Sequence, residues 1–195
     1  PVQEKLFARL REPRAIQEFL DTLPINFEHE GDTHHSPRTV LEKNTAHCIE
    51  GALLAAAALW HHGHKPLLMD FSTEQNDEDH VVALYKTNGY WGALSKTNHP
   101  ILRFRDPVYK TARELAMSYF HEYFMFENGK KTLVSYSKPL DMRRFGDSWI
   151  TTQEDLFWLD EKLDALAHYP VVPRINRKHL RPAGAFEIQA LAQRE

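Results

Sequence analysis

From Asn44 to Gly63 the chain reads NTAHCIEGALLAAAALWHHG, and this stretch leaves it few options. Ile49 to Trp60 is almost entirely apolar and small, with alanines at 55 to 58, so no polar face separates from an apolar one. A helix of that kind is buried on most sides. Asn44 or Thr45 offers a short polar side chain as N-cap for backbone N–H groups that have no intrahelical acceptor. Gly63 suits the left-handed residue after the last turn, His61 and His62 stand where positive charge favours the dipole, and Pro66 stops continuation. The spacing therefore predicts a buried helix ending near His62, with Cys48 in its first turn.

Cys48 is the sole cysteine of the 195 residues. A thiol at a helix N-terminus meets partial positive charge that favours thiolate, which makes Cys48 a candidate nucleophile. The competing reading is packing, because free cysteine is among the most buried residue types. No internal disulfide is available to a single cysteine.

The elements around this helix follow from period and punctuation. Leu6, Phe7 and Leu10, then Ile16, Phe19, Leu20 and Leu23, recur at three and four residues and predict two amphipathic helices parted by Pro13. Pro24 to Pro37 reads as a polar loop. Ser36 and Pro37 open a short helix to about Lys43. Pro66 to Phe71 suits a buried strand, Ser72 to Asp79 an acidic loop, and His80 to Tyr85 a second strand. Asn88-Gly89 is a hairpin turn, with Tyr90 to Ser95 returning as the partner. Asp106-Pro107 is expected to start a long helix over 108–126, and 132–136 a further strand. Thr151 or Thr152 with Glu154 and Asp155 resembles a capping box for a helix carrying Leu156 to Leu166, and a helical tail is expected over 186–193. No repeat or linker divides the chain, so a single domain spanning 1–195 is expected, with its core at about 36–138 and helical extensions on both sides.

If the hairpin packs on the Cys48 helix, His80 approaches the thiol. An imidazole there can take the thiol proton and return it to a leaving amine. Ser95, roughly opposite His80, is the natural group to orient the ring. Asp77, Glu78 and Asp79 favour a protonated His80 if they lie close to it, or form a solvated loop if they do not. Histidine pairs at 34–35 and 61–62 invite a metal reading, but adjacent side chains do not converge on one point, and no metal site or cofactor is expected.

The order of these pieces resembles the transglutaminase-like superfamily, and more narrowly a bacterial branch of it. The matching segments are Ala46-His47-Cys48-Ile49-Glu50-Gly51, His80-Val81-Val82-Ala83-Leu84-Tyr85 and Gly89-Tyr90-Trp91-Gly92-Ala93-Leu94-Ser95, continuing into Arg103-Phe104-Arg105-Asp106-Pro107-Val108-Tyr109. The resemblance implies an α+β fold of transglutaminase-like or papain-like type, with a central Cys-bearing helix on a small antiparallel sheet and further helices around it. It implies Cys48 as nucleophile, His80 as proton carrier, and Trp91, His47 and Arg103 at a substrate. The superfamily's third residue is usually Asp, four positions after the tryptophan, where this chain has Ser95. Ser95 accepts an imidazole N–H bond without supplying charge, and Asn98 is an alternative amide acceptor. The activity implied is acyl transfer or hydrolysis at a protein or peptide amide, as a peptidase, amidase, deamidase or cross-linking enzyme. The alternative is an inactive member acting as a binding or scaffold module.

Charge excludes one class of partner. Lys and Arg total 24 against 27 Asp and Glu, a net −3 that gives no general attraction to nucleic acid or anionic membrane. No leader and no run of about 18 apolar residues is seen, so a cytoplasmic location is expected.

Overall fold

A computed structural model describes residues 2–74 and 77–192. The chain forms α1 (Val2–Phe7), α2 (Pro13–Thr22), α3 (Pro37–Lys43) and α4 (Cys48–His61), followed by β1 (Leu67–Thr73), β2 (His80–Thr87), β3 (Tyr90–Leu94) and β4 (Arg105–Tyr109). Then come α5 (Ala112–Tyr119), β5 (Leu133–Ser137), β6 (Leu140–Asp141), α6 (Trp158–Asp164), β7 (His168–Pro170) and α7 (Ala185–Leu191), with three short 3₁₀ turns between them. The strands join one antiparallel sheet in the order β4-β3-β2-β1-β5-β7, with β6 also paired to β1. The α+β class is as expected. The sheet, at seven strands, is larger than the small one anticipated.

Both faces of this sheet are covered, which explains why β2 reads as a continuous apolar run. Val81, Ala83 and Tyr85 join a core with α4, α2 and α6, while Val82 and Leu84 join a second core with α5. Helix α4 lies against β2 and is buried from Ile49 to Leu59. The turn between β2 and β3 has Asn88 and Gly89 both at positive φ, 51° and 85°, as a two-residue hairpin requires. Gly63, at φ 83°, closes α4 by donating to the Trp60 carbonyl.

Several local expectations are overturned by contacts distant in sequence. Asn44 does not cap α4: it is the left-handed residue ending α3, at φ 55°. Thr45 and Ala46 then run extended, Ala46 bridging to Ile25, and His47 becomes the N-cap. Asp106-Pro107 belongs to strand β4 and not to a helix. Its place on the sheet edge tolerates a proline without an N–H, and the helix that follows is confined to Ala112–Tyr119 with Thr111 as its cap. Thr152 closes only a local turn onto Glu154, because Asp155 instead accepts the backbone N–H of His34. Helix α6 accordingly starts at Trp158. The tail helix ends at Leu191, and Gln193 lies outside the described residues, as do Gln75 and Asn76 of the acidic loop.

Candidate functional site around Cys48

Cys48 is the first residue of α4, so its N–H has no intrahelical acceptor. The start of the helix is anchored by a buried carboxylate. Glu50, fully buried at the third position, accepts the backbone N–H of His47 at 3.0 Å. It also accepts Thr33 Oγ1 at 2.9 Å, the His35 N–H at 3.0 Å and Asn26 Nδ2 at 3.1 Å. These bonds pull the 24–37 loop onto the helix end and bring the Thr33 carbonyl to His47 Nε2, which donates to it at 2.7 Å. His47 Nδ1 is thereby left facing Cys48 Sγ, at 4.0 Å.

A second imidazole reaches the thiol from the sheet. His80, first residue of β2 and buried, places Nε2 2.7 Å from Ser95 Oγ. Ser95 Oγ in turn lies 2.5 Å from the Leu102 carbonyl, which only accepts, so the hydroxyl proton points to Leu102 and the oxygen accepts from His80 Nε2–H. With Nε2 engaged by Ser95, Nδ1 is the ring nitrogen left for Cys48, and His80 is among the groups that favour its thiolate. The chain of bonds continues: the Leu102 N–H donates to Glu122 Oε2 at 2.8 Å, and Glu122 Oε1 accepts Arg105 at 2.6 Å. The donors run in one direction from His80 through the Ser95 hydroxyl to the Leu102 carbonyl, so these two bonds reinforce each other, and the bond of the Leu102 N–H to Glu122 holds that carbonyl in place. Leu102 holds φ 61° in this chain, a left-handed conformation stabilised by bonds at both its N–H and its carbonyl.

The electrostatics follow from this geometry. Burial pushes the Cys48 thiol up, but hydrogen bonds to His47 and His80 and the charges of both rings outweigh it, bringing the thiol from 9.0 down to about 5. Burial likewise pushes His47 down. Its bond to Cys48, the charges of Cys48 and Glu50 and its bond to Thr33 outweigh that, raising it from 6.5 to about 9. At neutral pH the two form a thiolate–imidazolium pair.

Cys48 is half-buried and opens on a cleft of about 710 Å³ that His47, His80, Asn98 and Tyr123 also line. Of the residues singled out from the sequence, Cys48, His47, His80 and Ser95 are thus brought together. His47, expected at a substrate, contacts the thiol itself. Asn98 stands on the cleft wall, and it is Ser95 that accepts His80 Nε2. Trp91 and Arg103 lie outside the cleft: Trp91 stacks under Lys86 near the hairpin turn, and Arg103 bonds the His99 carbonyl and approaches Asp21. The acidic residues before His80 brace the β1–β2 connection, Asp79 accepting the N–H and hydroxyl of Thr73 and Asp77 accepting Thr132.

Gln17 of α2 was not evident as part of the site. Its amide accepts the Ser95 N–H at 3.0 Å and donates to the Ser95 carbonyl at 2.8 Å, clamping that residue from the far side. The one available sign was a polar residue on the apolar stripe, three positions before Leu20. Among the described residues, no group of three or more His, Cys, Asp or Glu side chains is arranged to hold a metal ion, and no helix is long and apolar enough to cross a membrane. The sequence matches no protein-family model and no curated protein.

Proposed function

We propose that this chain is a transglutaminase-like cysteine enzyme that performs acyl transfer or hydrolysis on an amide of a protein or peptide. The observation that carries the reading is Cys48 at the start of a buried helix, in an open cleft, between two imidazoles of which His80 is oriented through Ser95. Cys48 Sγ attacks the amide carbonyl carbon as the thiolate, its proton already held on His47 Nδ1, and the carbonyl π pair moves onto oxygen. When that pair returns, the C–N bond breaks and the leaving amine takes the proton from His47, while His80, held by Ser95, helps keep the sulfur ionised. The thioester left on Cys48 is then attacked by water, giving hydrolysis, or by an amine, giving a new amide. His47, positively charged beside the sulfur, favours the thiolate.

A second reading, a binding module on the same architecture, rests on Ser95 standing where the superfamily usually has a carboxylate. Iodoacetamide labelling across pH separates the two, since the chain has one thiol. The enzyme reading expects labelling of native protein with a midpoint near 5, shifted upward in His80→Ala. Labelling only after denaturation would leave the binding module as the better description.

A further inference from the structure

Tyr123 carries a buried phenol that the chemistry above does not use. The residue is 3% exposed, its ring packs in the core beneath α5, and its hydroxyl is buried without a hydrogen-bond partner. Leaving a buried hydroxyl unpaired costs about 1–3 kcal/mol, and such groups are rare enough in folded proteins to require a reason. The position supplies one, because Tyr123 lines the same cleft as Cys48 and His80.

We infer that the Tyr123 hydroxyl donates a hydrogen bond to the carbonyl oxygen of the substrate as that oxygen gains negative charge during attack by Cys48. This inference rests on the acyl-transfer reading and adds a catalytic residue to it. The bond is worth most when charge develops, since a phenol already desolvated and fixed in place needs no reorganisation to meet an oxyanion. The hydroxyl remains a donor throughout: burial holds it well above its ordinary value, and the negative charges of Cys48, Asp77, Asp70 and Asp79 push it further up. The Cys48 N–H, without an intrahelical acceptor, is suited to share the same oxygen. No proton is transferred from Tyr123; electrons move from sulfur to carbon and from the π bond to oxygen, then back as the leaving group departs.

Two probes of one thiol separate this role from a structural one. p-Nitrophenyl acetate acylates Cys48 through a tetrahedral oxyanion and releases nitrophenolate, whereas iodoacetamide is attacked at a saturated carbon and forms none. Tyr123→Phe keeps the ring and is expected to slow the Cys48-dependent nitrophenolate burst about 100-fold. The same variant should leave the pH profile of iodoacetamide labelling unchanged and the melting temperature equal or higher, since it deletes only an unpaired group. An unchanged burst rate overturns the inference, as does an equal loss with both probes, which would mark a general disturbance of the thiol. If Cys48→Ser retains the full burst, the nucleophile reading fails and takes this inference with it.

Discussion

The pair His47–Cys48 shows how adjacent residues divide a task. His47 ends the extended segment as N-cap while Cys48 begins the helix, so the imidazole folds back over the sulfur, with its Nε2 fixed by the Thr33 carbonyl. Its raised affinity for a proton and the lowered thiol pKa are two sides of one contact. As pH falls through about 5 the thiolate takes up a proton and loses reactivity, and as pH rises through about 9 His47 loses its charge. His47→Gln removes the positive partner and is expected to raise the midpoint of Cys48 alkylation by about 1–3 pH units, read from the labelling rate against pH. Ser95 has its own logic at this scale. A carboxylate there would meet the Leu102 carbonyl at 2.5 Å with nothing to donate, whereas a hydroxyl satisfies both neighbours. The residue's identity is thus explained by the backbone it touches, and Glu122 acts on it only by fixing Leu102 through its N–H.

At the scale of elements, Gly51 decides how close the end of β3 comes to α4. A Cβ at Gly51 would sit 2.4 Å from Lys96 Cβ, an atom fixed to the backbone next to Ser95. Gly51→Ala gains about 1 kcal/mol of helix propensity and meets an overpacking cost of about 1–3 kcal/mol. With so short a contact the clash prevails, and thermal unfolding should show a lower melting temperature. The alternative outcome, a gain in stability, would mean that the helix and the Ser95–Lys96 segment separate easily. The element that the sequence misrepresents most is β4. Asp106-Pro107 has the composition of a helix start, but Trp91 and Ala93 of β3 offer pairing partners at the sheet edge, and that pairing overrides local preference.

Across the whole molecule, the site depends on segments far apart in the chain. Helix α2, which reads as a packing element, holds Ser95 through Gln17 across 78 positions. Gln17→Ala deprives the buried Ser95 N–H and carbonyl of these partners and is expected to cost about 1–3 kcal/mol. Because Ser95 aligns His80, the nitrophenolate burst should also slow in this variant; an unaltered burst in a destabilised protein would confine Gln17 to a structural role. The legible parts of the chain were those set by signals acting over a few residues. Gly63 as the stop of α4, Ser36-Pro37 as the start of α3 and Asn88-Gly89 as the hairpin turn depend on backbone angles and on bonds to near neighbours, and the antiparallel pairing of β2 with β3 follows from that turn. From those elements the proximity of Cys48, His80 and Ser95 could be expected. The second imidazole at the thiol, the route from Ser95 to Glu122, the clamp from Gln17 and the unpaired Tyr123 hydroxyl were settled by folding alone, because each depends on a partner that only the packing of the sheet, α2 and the 24–37 loop brings within reach.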